Sequence, residues 1–412
     1  MTSHSDGITI EISQKPPNSG YGLGSITYGG DSNQQVKLIK EENPTNSGFW
    51  KFTHTKNGIS QGDSFKVGKV QYESSDISLP DIGMDSNSEI QHLAVWCWSG
   101  DDNMKKPLLI ELLYKNDNYK YYSSNGDSDN LSWESLISSS QLKGKTLEKE
   151  LDGLTCEKHN AVTMYLRKIN YKTHIRGKKK YCCSKHKGKE KNKSPGKVTV
   201  TPVEIYCQTH PNNPTPVTCY KHEINSGAKL SGIRFYHNGN SKIRGRIKSP
   251  IPDVKAVHTF YCGTNPTLIY IEGGTQAIQD RWFKKNASKD NIEWTEVKDL
   301  QDIIPNVLSN NTKCETYKQL INALSCHKYQ QCSDNPQSPS IGQGLDVLRK
   351  SEEHDTDSSD SEAEWDSEGE GSSGLGITIG SSSASILGTG GGAYAGWHVY
   401  QKYFLDVVVR LI

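Results

Sequence analysis

The chain has 412 residues, two to three times a typical domain, and is poor in apolar residues. It is 33% hydrophobic, or about 37% once its 37 Gly are added and its 20 Tyr set aside, against ~45–50% for globular chains, which disfavours one compact enzyme and implies unfolded segments. The formal net charge of +1 hides a dipole: residues 167–197 carry 13 Lys or Arg against one acid, and residues 351–370 carry ten acids and no Lys or Arg. Both extremes are expected in solvent.

In chain order, residues 1–14 have neither the basic stretch nor the apolar run of a secretory leader, so the reading is synthesis in the cytosol or a start further upstream. From residue 6, ITIEI, VKLI, FKVGKVQY, HLAVWCW, PLLIELLY and YKYYS are short, rich in β-branched and aromatic residues, and bounded by Asn, Gly, Ser and Pro. They read as strands, with Ile8, Ile10 and Ile12 on one face. LKGKTLEKELDGL then has helical spacing and ends near Cys156.

The pattern recurs downstream. YYSSNGDSDNLSW (Tyr121 to Trp133) aligns without gaps to WFKKNASKDNIEW (Trp282 to Trp294), and INALSC, ending at Cys326, parallels LDGLTC, ending at Cys156. A fixed order of matched segments is the mark of an internal duplication. The expected fold is mainly β, with two tandem sandwich-like modules over 6–156 and 160–332, each closed by a short C-terminal helix. Trp96, Trp98, Trp133 and Trp294 are expected in the cores rather than on a ligand platform.

The second module carries the basic insert 167–197, read as solvated in preference to a nucleic-acid patch in which Tyr171 and Tyr181 stack. An acidic, Ser-rich linker follows over 333–373, with acid-directed phosphorylation candidates Ser359, Ser361 and Ser367. Residues 371–401 contain no Asp, Glu, Lys or Arg. Trp397, Tyr400, Lys402 and the small residues Gly388, Gly392 and Gly396 favour a transmembrane helix over 374–401, with 402–412 as a short tail, against the plainer reading of a Gly/Ser linker.

Four Cys-x-x-His pairs, Cys156/His159, Cys183/His186, Cys207/His210 and Cys219/His222, have the ligand types of a zinc knuckle. The pattern is unorthodox, because knuckles pair Cys with Cys and His with His. His222 also aligns with His54, which has no Cys three residues before it. The expectation is therefore no metal and no cofactor. Cys156 and Cys326 are expected buried or disulfide-bonded, with bridges if the modules face an oxidising compartment and free thiols if they face the cytosol. No nucleophile elbow, phosphate loop, zincin helix or dinucleotide fingerprint occurs, and no catalytic residue is assigned.

The order of aromatic-x-His, Val-Trp-Cys-Trp, Pro-Leu-Leu-Ile, Tyr-Tyr, Trp and Leu-Asp-x-Leu-x-Cys resembles the lineage-specific tandem-repeat proteins of piroplasm parasites (Theileria, notably the equine species). More loosely, it is similar to the FAINT-type β-rich modules of Theileria secreted proteins. The resemblance covers both modules and implies a multicopy, fast-diverging family exposed to the host cell or on the parasite surface. The functional expectation is a non-enzymatic, membrane-tethered tandem-module protein that binds a host or parasite protein or presents variable surface. A single C-terminal anchor would make it membrane-associated; with the tail only a linker it would be cytoplasmic or secreted. The rival is a soluble nucleic-acid-binding or zinc-dependent factor using 156–222.

Overall fold

The computed structural model describes residues 7–329 except 17–23, 32–33, 46, 61, 80–88, 137–139, 167–179, 184, 186–195, 210–215, 226, 238–240, 244–249, 264–265, 276–277, 288–291 and 309–310. The acidic linker and the 374–401 segment therefore lie outside the described residues. Among those described, no helix is long and apolar enough to cross a membrane.

The chain is mainly β. In the first half, β1 (Ile8–Glu11), β2 (Gly24–Tyr28), β3 (Val36–Glu42), β4 (Phe49–Lys56), β5 (Phe65–Tyr72), β6 (Ser75–Asp76), β7 (Glu89–Trp98), β8 (Pro107–Tyr114), β9 (Tyr119–Ser124) and β10 (Trp133–Leu136) precede helix α1 (Gly144–Lys158). The main antiparallel sheet runs β10-β9-β8-β7-β4-β3-β2. β5 joins β7 only at Phe65 and Lys66, then leaves to pair in parallel with β1. The alternation of ITIEI places Ile8, Ile10 and Ile12 inward, where they meet Leu38, Phe52, Val95, Ile110 and Trp133. The opposite face of the sheet packs on α1, whose Leu147, Leu151 and Leu154 recur at helical spacing against Trp96, Trp98, Leu109 and Tyr121. The helix continues to Lys158, two residues beyond the expected boundary at Cys156.

In the second half, β11 (Ala161–Tyr165), β12 (Val198–Ile205), β13 (Val217–Ile224), β14 (Lys229–His237), β15 (Ser241–Ile243), β16 (Val254–Tyr261), β17 (Pro266–Gly273), β18 (Arg281–Ala287) and β19 (Ile292–Glu296) lead to α2 (Cys314–Leu324). The main sheet runs β12-β13-β16-β17-β18-β19, and β11 pairs in parallel with β14 as β1 does with β5. Register as well as order is shared. Leu38 faces His54 and Val200 faces His222; Glu111 faces Tyr121 and Tyr270 faces Trp282; Trp133 faces Ser124 and Trp294 faces Lys285. Trp96, Trp98, Trp133 and Trp294 are all buried, which places them in the cores.

One expectation is corrected inside the basic insert. Tyr181, Cys182 and Cys183 are buried, and Tyr181 bridges to Val198 as Tyr28 of β2 pairs with Val36. The Tyr28 hydroxyl lies 2.8 Å from His54 Nδ1 and the Tyr181 hydroxyl 3.0 Å from His222 Nδ1. An apolar Tyr-Cys-Cys run thus re-enters the core where β2 lies in the first half, and Tyr181 is not available to stack on a base.

Both halves belong to one compact unit. At their junction the buried Arg234 of β14 reaches α1: its Nε and Nη2 each lie 2.8 Å from an Asp152 carboxylate oxygen, and Nη1 lies 3.3 Å from Glu148. Nη2 also donates to the Ser47 carbonyl at 3.2 Å, and Thr163 and Tyr165 donate to Asp152. Burial opposes the guanidinium charge, but Asp152 and Glu148 outweigh it and raise the Arg234 pKa. A disulfide, Cys156–Cys182, crosses the same junction.

Candidate functional site

The helix-facing side of the second sheet is built by period-two alternation. Cys219 on β13, Phe260 on β16, and Leu268 and Tyr270 on β17 lie under α2, with Tyr317, Leu320, Ile321 and Leu324 above them. Two residues further along the same strands, and on the same face, come Lys221, His258 and Glu272. His258 Nε2 lies 3.0 Å from Glu272, and Lys221 Nζ lies 3.8 Å from the same carboxylate oxygen. Burial lowers the His258 pKa despite Glu272, so a neutral ring donates its Nε2 proton. Burial acts to raise Glu272, but His258, Lys221 and Asn306 more than offset it and hold the carboxyl below its usual range.

None of the α2 residues lines this end of the sheet. A cleft of about 470 Å³ opens there, lined among others by Asp253, Tyr270, Glu272, Asp280, Ile304 and Asn306. Gly273 and Gly274 form its back wall with φ of +76° and +103°, and a Cβ on Gly273 would meet the Asp253 carbonyl at 2.6 Å, so the close turn there requires glycine. Their amides donate to Asp280 Oδ1 at 2.9 Å and to the Asp253 carbonyl at 3.0 Å. Burial, with Asp280 and Glu272 nearby, pushes the Tyr270 phenol up to about 12. Ile304, which lines it, is 50% exposed, and Val307, three residues further along the chain, is 68% exposed.

The first half assembles the same residue types on the same three strands, one pleat away, and closes over them. His92 Nε2 lies 3.0 Å from Glu111, Lys51 Nζ lies 3.5 Å from it, and Tyr121 donates to its second oxygen at 2.7 Å. The Leu142 amide, just before α1, donates to the Tyr121 hydroxyl at 2.8 Å. The Glu111 side chain is 2% exposed, whereas the Glu272 side chain retains 22%.

The zinc candidates do not converge. Cys156 is bonded to Cys182 and Cys207 is also disulfide-bonded, which removes both as thiolate ligands. Cys183 and Cys219 are buried thiols, and burial raises the latter's pKa. His159 packs on Trp98 with ring centroids 5.3 Å apart, and His222 is engaged by Tyr181. His186 and His210 lie outside the described residues. Among the described residues, no group of three His, Cys, Asp or Glu side chains is placed to hold a metal ion.

The cleft was not legible in the sequence. Lys221, His258 and Glu272 come from three strands, and only alternation on correctly paired strands puts them together. No protein-family model matches the chain, and no curated protein matches it in sequence.

Proposed function

We propose that this is a non-enzymatic binding protein made of a duplicated β-module. Its two halves form one compact unit, and the second half presents the binding surface. The observation that carries the reading is the open, apolar-rimmed cleft of the second half, set against the lidded counterpart in the first. Residues 374–401 would tether the unit to a membrane, with residues 333–373 as a solvated spacer. The cystines Cys156–Cys182 and Cys262–Cys326 favour placing the modules in an oxidising compartment, outside the cytosol. A disulfide-bonded Cys156 and Cys207 and a core-bound Tyr181 speak against the zinc and nucleic-acid alternative.

Two measurements test this. Full-length chain expressed in cells should stay with carbonate-washed membranes, and a version ending at Glu370 should be released. In the same cells, Cys262 and Cys326 should resist maleimide in denaturant until reductant is added. Equal release of both versions would refute the tether, and labelling without reductant would refute the compartment. Salt-sensitive capture of nucleic acid by the purified chain would favour the rival.

A further inference from the structure

We propose that the cleft of the second half takes a basic peptide segment, with a Lys or Arg side chain entering between Asp253, Glu272 and Asp280 and a neighbouring aliphatic side chain resting on Ile304 and Val307. The proposal rests on the reading of the chain as a binding protein and names the chemistry of its partner. Two separate features converge on that chemistry. Ile304 and Val307 are the large apolar side chains that stand out as exposed among the described residues, and both belong to one short segment beside the cleft. Single exposed apolar side chains are ordinary, but two in one short segment next to a polar cleft give a partner apolar surface to cover. The cleft, about 470 Å³ and open to solvent, has room for a long side chain.

Charge then selects the occupant. The lining holds three carboxylates, from Asp253, Glu272 and Asp280, against one ammonium, from Lys255. Asp253 and Asp280 are exposed, and Glu272 keeps its negative charge because His258 and Lys221 stabilise it from the sheet side. A long aliphatic stem with a cationic head satisfies both the apolar rim and the acidic interior, which an acidic or purely apolar segment does not. The first half lacks this site because Tyr121 takes the second oxygen of Glu111, the carboxylate is buried, and the Leu142 segment closes on Tyr121.

The test is a phage-displayed random heptapeptide library panned against the oxidised, detergent-solubilised full chain. Recovered clones are then compared on the wild type, on Asp253→Asn/Asp280→Asn, on Ile304→Ser/Val307→Ser, and on the distant exposed control Asp102→Asn/Asp127→Asn. All the substituted side chains are exposed or half-exposed, and near-ultraviolet circular dichroism confirms that each variant folds. The expected result is enrichment of Lys or Arg next to Ile, Leu or Val. Binding should fall at least tenfold on each cleft variant, hold on the control, and weaken with added salt. Clones with no basic bias that still depend on Ile304 and Val307 would overturn the proposal while leaving the chain a binding protein. Clones that bind all four proteins equally, or no enrichment at all, would overturn it and remove the cleft's role as the binding surface. Concentration-dependent self-association lost in Ile304→Ser/Val307→Ser would instead make the cleft a contact between copies of this chain, and also overturns it.

Discussion

The two halves share strand order and register yet treat the same face of the sheet differently. In the first, Tyr121 bonds both the Glu111 carboxylate and the Leu142 amide, and the acid disappears beneath the segment leading into α1. In the second, Tyr270 stands where Glu111 does and Trp282 where Tyr121 does, and Trp282 Nε1 donates to the Ile303 carbonyl at 2.7 Å. That bond holds the pre-helix segment on the indole while Ile304, the next residue, turns outward. The carboxylate moves one pleat along, to Glu272, and comes to lie in an open cleft. One scaffold thus yields a closed face and an open one through which residue meets the backbone before the helix.

The helix ends diverge in the same way. Cys156 lies in the last turn of α1 and Cys326 just past α2, at aligned places in the sequence, but Cys326 bonds Cys262 at the end of β16, while Cys156 bonds Cys182 across the junction. The place of Cys262 is taken in the first half by Trp98, which packs on His159. One cystine staples a module to its own helix, and the other staples two modules together.

The comparison can be broken at graded cost. The largest effects should come from the junction and the cores: Asp152→Ala leaves Arg234 buried without its bidentate partner and should cost about 3–5 kcal/mol in chemical denaturation. A loss under 1 kcal/mol would mean that the halves do not depend on this contact. Trp133→Ala and Trp294→Ala should each cost ~3–5 kcal/mol, and by similar amounts, as core aromatics in equivalent sites. An unchanged melt for one alone would show that the sites are not equivalent. Replacing both cysteines of each bridge by Ser should separate the pairs more finely. The Cys262–Cys326 loop spans 64 residues and the Cys156–Cys182 loop 26, so chain entropy alone makes loss of the former about 0.8 kcal/mol more costly. The reverse ranking would show that the junction bridge carries more than loop entropy.

The effect confined to a single side chain is a pH slope. Burial pushes His54 from 6.5 down to about 3, so between those values the unfolded chain holds a proton that the folded chain does not. Stability is therefore complete above pH 6.5 and falls as pH drops toward 3, by about 1.4 kcal/mol per unit from this group. His54→Gln should flatten that slope in urea titrations at pH 6.5 and 5.5. An unaltered slope would place the proton uptake elsewhere, with His159 and His258, both lowered by burial, as the next candidates.

Much of the fold is legible in the residues. ITIEI alternates because one face of β1 is buried, the Leu147, Leu151, Leu154 spacing marks a helix on a sheet, and the Trp133 and Trp294 segments align because both tryptophans fill the same core position. Lys density made 167–197 look wholly solvated, whereas a core needs only three consecutive residues, and Tyr181, Cys182 and Cys183 supply them. Cysteine pairing is equally opaque to spacing, since Cys156 and Cys326 align yet bond different partners. The cleft depends on side chains brought together by pairing register and on where a short segment turns outward, neither of which leaves a periodic trace.

The central claim, that recognition belongs to the open face of the second half and not to the closed face of the first, is tested most directly by hydroxyl-radical footprinting of the oxidised full chain. Modification is read by mass spectrometry with and without a basic heptapeptide selected on the chain. The account predicts that Ile304 and Val307 are readily modified in the free chain, that Trp96 and Trp98 are protected throughout, and that the peptide shields Ile304 and Val307 alone. Protection of Ile304 and Val307 before any peptide is added, or shielding that falls on the first half, would contradict it.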